Sequence, residues 1–154
     1  NNQSRTLLET IYSRSIEIKI FLTFDERLKI IDSLIQHHNL SELIDYKKFY
    51  ISPGNFLSFN QICVDNEIDV FGCYSENLLK LLSLFKKNKD INCINLLLLI
   101  TENYFYDLLK KETKNKEKVY ENKSYVVNNI NNFIFHNLNQ NSLINDINRK
   151  LLNE

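Results

Sequence analysis

Three histidines and three cysteines are the residues here best suited to bind a metal or attack a substrate. His37 and His38 are adjacent, so on a helix they point about 100° apart and cannot share one ion. His136 is distant, and no H-x-x-x-H or H-E-x-x-H spacing occurs. These histidines read as surface or core-edge residues. Cys63, Cys73 and Cys93 form no C-x-x-C pair, and no nucleophile motif flanks any of them. They read as small buried apolar residues in a reducing compartment. Asp65, Glu67 and Asp69 alternate ahead of Gly72 like a calcium loop, but Ile68, Val70 and Phe71 break that pattern. Gly54 and Gly72 are the only glycines and stand apart, which excludes a phosphate-cradling loop. The residues therefore imply no enzyme, no catalytic group, no cofactor and no metal.

Composition narrows the classes further. The 154 residues fit one domain with a single core. Lys plus Arg and Asp plus Glu balance at 19 each, so no net field draws the chain to nucleic acid. The longest aliphatic run, Leu96 to Ile100, is far short of the roughly 18 residues a membrane span needs. No secretory leader is visible, and a start at Asn1 rather than Met reads as a piece of a longer chain. Sequons at Asn2, Asn39 and Asn122 carry no weight, because 23 asparagines generate about two or three by chance. Alanine is absent while Asn, Ile, Leu and Lys dominate, the mark of an AT-rich genome. The cytosol is the expected location.

The elements that position these residues follow from periodicity. Residues 1–24 read as an N-terminal extension. Within it, 16–24 (IEIKIFLTF) alternates Ile16, Ile18, Ile20, Leu22 and Phe24 with polar residues, which predicts a strand. The competing reading is one helix from Thr6. A lone strand leaves an edge that invites a second copy, hence a homodimer. Residues 25–154 read as a helical domain. Asp25 is the predicted N-cap of a helix closed by Asn39, and SELIDYKKFY from Ser41 reads as a short helix or a turn. Pro53-Gly54 breaks the chain, and a helix from about Asn55 to Phe71 ends at Gly72 in the left-handed cap position. Ser75 starts the next helix, with Leu78, Leu82 and Phe85 on one stripe and Leu79 beside it. Asp90 caps a helix whose Ile94 and Leu96 to Ile100 leave no polar face for more than a turn, which marks a buried central helix. Its second half, with Glu102, Asn103 and Asp107, is expected to emerge from the core. Residues 110–123 read as a charged, solvated linker. Two closing helices put Val127, Ile130, Phe133 and Ile134, then Leu143, Ile144, Ile147 and Leu151, inward. The expected fold is all-α, six or seven helices around one hydrophobic helix.

Such a domain acts by presenting a face or groove to a partner. Exposed aromatics would be the anchors, with Phe56, Phe59, Tyr104, Tyr106, Tyr125 and Phe135 as candidates, unless they are core.

The stretch FLSFNQICVDNEIDVFGCYSENLLKLL resembles a segment of the poxvirus Bcl-2-like proteins, intracellular modulators of innate immunity. Phe59, Ile62, Asp65, Asn66, Ile68, Phe71, Gly72, Asn77 and Leu78 carry the likeness, with Phe71-Gly72 as the aromatic-glycine junction. LKIIDSLIQHHN is similar to the family's first helix and INCINLLLLITENYF to its central one. The closing pair, ending in Arg149, Lys150 and Leu151, also fits. The resemblance spans roughly residues 28 to 152 in order. It implies a Bcl-2-like bundle in the host cytoplasm. That bundle would suppress NF-κB or interferon induction by binding a host adaptor or kinase. An alternative is an anti-apoptotic protein holding pro-apoptotic helices in a groove. The candidate groove or interface residues are Phe56, Phe59, Leu78, Leu82 and Phe85. Two departures stand out. The interval from Ser75 to Asp90 has room for one helix where the family usually has a further one. DINCIN stands where cellular members carry Asn-Trp-Gly-Arg, so the usual ion pair to a pro-apoptotic helix lacks its Arg. A third reading is a structural helical interaction domain of a non-viral AT-rich organism.

Overall fold

The computed structural model describes residues 21–111, 115–136 and 138–152. Among these the chain is all-helical, without a strand. The helices are α1 (Phe24–His38), α2 (Pro53–Asp65), α3 (Tyr74–Asn88), α4 (Ile91–Lys111), α5 (Lys116–His136) and α6 (Gln140–Leu152). Most of the strand expected over 16–24, residues 16–20, lies outside the described residues. Its last part is not a strand, since residues 21–23 are irregular and Phe24 opens α1.

The cause is a capping box whose N-cap lies two residues before the expected Asp25 cap. The Thr23 hydroxyl accepts from the Glu26 N–H at 3.3 Å, and the Glu26 carboxylate accepts from the Thr23 N–H at 2.8 Å. The Thr23 N–H first, and then the Thr23 hydroxyl, which also donates to that carboxylate at 2.8 Å, hold the Glu26 carboxyl below its usual range. Asn39 closes α1 in the left-handed region, as expected of a C-cap asparagine.

Residues 40–52 form turns rather than a helix, with Ile44, Tyr46 and Ile51 buried. Pro53 does not break the chain; it begins α2. Ser52 caps the helix by accepting from the Asn55 N–H at 3.2 Å, and Pro53 occupies the first helical turn, where its missing N–H costs nothing.

The helix α2 also ends earlier than expected, at Asp65 rather than Phe71. Asn66 donates its side-chain amide to the Ile62 carbonyl at 2.9 Å, and Glu67 takes the left-handed conformation expected at Gly72. Gly72 itself lies outside that region. Its value is space: a Cβ there would sit 3.0 Å from the Asp69 carboxylate and 3.2 Å from the Asp69 carbonyl. The intervening turn is pinned by Ile68 and Val70, both buried, and by Asn77 donating to the Asp69 carbonyl at 2.7 Å.

The core centres on α4, which packs against α2, α3 and α5, while α6 covers α3 and α5. Asp90 caps α4 by accepting from the Asn92 N–H at 2.9 Å. Ile94, Leu96, Leu97, Ile100 and Phe105 are buried and Leu98 and Leu99 half-buried, while Ile91 and Asn95 are exposed, so its first half is enclosed on all but one narrow side. Asn103, expected to emerge, is buried as well.

On α3 the inward residues are Leu78, Leu81 and Leu82, while Leu79 is exposed. The charged stretch 110–123 is not a linker throughout. From Lys116 it is helix, with Val119 and Asn122 buried and Lys123 paired to Glu102 of α4 at 2.6 Å. Inward residues of α5 include Val126, Ile130 and Phe133, with Val127 half-buried. Leu143, Ile144 and Ile147 of α6 are buried as expected.

Candidate functional site

The turn between α2 and α3 leans on the second half of α4 and leaves a cleft of about 220 Å³ between them. Tyr74, the first residue of α3, stacks on Tyr104 of α4 with ring centroids 4.5 Å apart. Its hydroxyl is 3.0 Å from the Thr101 hydroxyl, which donates to the Leu97 carbonyl at 2.8 Å. Phe71 and Gly72 line one wall, and Asn103, Asp107 and Lys111 mark the other. Phe71 is 60% exposed although it is a large apolar residue beside a buried valine.

Lys48, from the 40–52 turns, crosses to this rim. Its ammonium donates to Asn103 Oδ1 at 2.6 Å and to Asp107 Oδ1 at 3.2 Å. The same ammonium lies 4.8 Å from the Tyr106 ring centroid, and Lys110 lies 4.3 Å from it on that helix. The cleft is thus aromatic at its centre and charged at its edge. Its volume falls below the roughly 300 to 1,000 Å³ of small-molecule sites, so it suits a side chain or two from a macromolecule better than a cofactor.

The residues expected to line a groove are placed elsewhere. Phe56, Phe59, Leu78 and Leu82 are core, and Phe85 is half-buried against Phe133 at 6.2 Å. Phe56 meets Tyr46 edge-on at 5.3 Å. As packed, Phe56, Phe59, Leu78 and Leu82 hold helices together and offer a partner no surface, and only Phe85 keeps part of its ring open. Of the other aromatic candidates, Tyr106, Tyr125 and Phe135 are exposed, while Tyr104 is half-buried in the cleft.

His37 and His38 sit side by side on the exposed end of α1, rings 5.2 Å apart, and His136 is also exposed. Among the described residues no group of three or more His, Cys, Asp or Glu converges. Cys63 and Cys93 are buried as expected, but Cys73 is exposed at the start of α3. Burial pushes the Cys63 thiol up to about 12, and burial with the nearby Asp90 raises Cys93, so both stay protonated at neutral pH.

Sequence reasoning marked Phe71-Gly72 as a junction but missed Lys48 as a rim residue. The signal that exists is the run Tyr46-Lys47-Lys48-Phe49-Tyr50, a lysine pair flanked by aromatics within the predicted short helix or turn. No protein-family model, no curated protein and no solved structure matches the chain.

Tyr74 makes the cleft sensitive to alkali. Burial first, and the neighbouring Tyr104 second, raise its phenol from 10.0 to about 12 against the lowering effect of the Thr101 bond. The folded state therefore holds this proton more tightly than the unfolded chain. The corresponding stability is complete below about pH 10 and is lost as pH climbs through about 12. Tyr74→Phe is expected to remove about 3 kcal/mol of alkaline destabilisation over that interval. Urea titrations at stepped pH measure it, and an unchanged alkaline slope in the variant would refute it.

Proposed function

We propose that this chain works by binding another protein, with the cleft between the α2–α3 turn and α4 as its contact site. The observation that carries the reading is Phe71, an exposed aromatic beside the Tyr74–Tyr104 stack and inside a charged rim. An apolar anchor with a polar edge is the usual anatomy of a protein contact.

The finer reading follows the resemblance. Under it the bundle is Bcl-2-like, with α4 as its hydrophobic central helix. The protein would be a viral antagonist of innate signalling in the host cytoplasm, acting on an adaptor or kinase upstream of NF-κB or of interferon induction. One feature supports this. The aromatic-glycine junction of the resemblance lines the cleft, while a single helix, α3, fills the interval where the family usually has two. No helix among the described residues is long and apolar enough to cross a membrane. The anti-apoptotic alternative has less to stand on, because Phe59, Leu78 and Leu82 are core.

Reporter assays for NF-κB and interferon promoters test the reading. Expression of the chain is expected to lower at least one of them, and Phe71→Asp is expected to abolish the effect without unfolding the domain. Unchanged reporters across several stimuli would overturn the antagonist reading. An effect that survives Phe71→Asp would place the contact elsewhere.

A further inference from the structure

Arg27 is 1% exposed, yet among the described residues no carboxylate pairs with it. One nitrogen is fully engaged: Nη1 donates to the carbonyls of Tyr46 at 3.1 Å and Ile51 at 3.0 Å, and reaches that of Phe49 at 3.5 Å. The other two, Nε and Nη2, are buried and have no partner among the described residues. These are not arbitrary leftovers. Nε and Nη2 share one edge of the guanidinium, and their N–H bonds run parallel from it, the fork that takes both oxygens of a carboxylate. The carbonyls bound to Nη1 fix the plane of the fork in advance.

A buried cation with two idle donors is costly to maintain, and an anion on that edge would relieve the cost. Two donors match the two oxygens of a monoanion; a phosphate dianion would ask for further donors or a second cation. The surroundings indicate what carries the carboxylate. The Phe24 and Tyr50 rings each lie with their centroid 4.9 Å from Arg27 Cζ, and they are 50% and 75% exposed. Phe21, two residues before the Thr23 cap, is also exposed. Both rings are open to solvent, so a peptide whose carboxylate reaches the fork has apolar surface to lie on beside it.

We propose that the Nε/Nη2 edge of Arg27 is a docking site for an acidic side chain of a partner protein, presented on a peptide with aromatic or aliphatic neighbours. Its carboxylate takes the fork, and the flanking apolar groups lie on Phe24 and Tyr50. This rests on the reading of the chain as a protein-binding domain but uses a different set of residues from the cleft. Its readout is a resonance of Arg27, so it stands or falls separately from the reporter assays.

The test is a side-chain nitrogen–proton NMR titration of the full chain, with the Arg27 Nε–H assigned by its loss in Arg27→Lys. Should that variant not fold, through-bond correlation in the wild type assigns it. The probes are acetyl-Phe-Glu-Phe-amide, the same peptide with Gln for Glu, and inorganic phosphate. A saturable shift with the Glu peptide alone is expected, weakened about three-fold by Tyr50→Ala. No shift with the Glu peptide overturns the proposal, as does an equal shift with the Gln peptide or a shift with phosphate alone. A resonance that already moves in the unliganded protein on Glu9→Gln or Glu17→Gln also overturns it, since the chain would then fill its own fork.

Discussion

Arg27→Met is expected to lower the stability of the domain by about 4 kcal/mol, read from the urea midpoint at neutral pH. Two effects oppose each other. Removing a buried charge without a counter-ion recovers desolvation energy, which is why swapping whole buried ion pairs for apolar residues is often harmless. Here the acceptors are backbone carbonyls of Tyr46 and Ile51, and no substitution removes them. Each would be left buried without its donor, at about 1 to 3 kcal/mol apiece, and the two ring contacts would be lost as well. The loss outweighs the gain.

The damage should be local first. The 40–52 turns have no helical ladder, and Arg27 together with the Tyr46–Asp32 bond at 2.6 Å ties them to α1. Amide exchange at residues 44–51 should therefore rise before that of α4. A midpoint within about 0.5 kcal/mol of wild type would show that the turns hold without the arginine.

That anchor is also the part of the fold least legible in the sequence. The apolar run of α4 announces a buried helix, because its residue types leave no polar face over Leu96 to Ile100. The cap at Thr23 was readable too, since Thr-x-x-Glu is a capping box, but Asp25 offered a nearer acidic candidate. Charge density misled at 110–123. Lys116, Glu117, Lys118 and Tyr120 are exposed around the first turn of α5, and only the spacing of Val119, Asn122 and Val126 reveals the inward face. Asparagine carries little signal here. In a chain this rich in Asn it is a poor loop marker, and Asn60, Asn77, Asn103 and Asn122 are all buried in or beside helices. The turns around Arg27 were silent for another reason: their acceptors are carbonyls, which every residue has.

The candidate site divides in the same way. Phe71-Gly72 was visible as a break in pattern, whereas its neighbours across the cleft, Asn103 and Asp107, come from a helix over thirty residues later. Whether an apolar stripe is core or groove cannot be decided by residue type, since both demand the same side chains. Burial decides it, and a pair of substitutions turns that decision into a measurement.

Leu82→Ala is expected to cost about 3 to 4 kcal/mol, because Leu82 is 0% exposed on α3 where that helix packs against α4 and α6. The loss combines the transfer energy of the removed atoms with a cavity that rigid neighbouring helices cannot close. Domains of this size have about 5 to 15 kcal/mol to lose, so the variant would fold but open more often. Phe71→Ala, on an exposed side chain in a turn, is expected to change stability by less than about 0.5 kcal/mol. Any binding lost in Leu82→Ala would then follow from unfolding, and any lost in Phe71→Ala from contact. Denaturant midpoints of both variants should therefore precede a binding assay. An unshifted midpoint for Leu82→Ala would mean the α3 stripe is free to open, and a groove along Phe59, Leu78 and Leu82 would again be the better account of how this domain meets a partner.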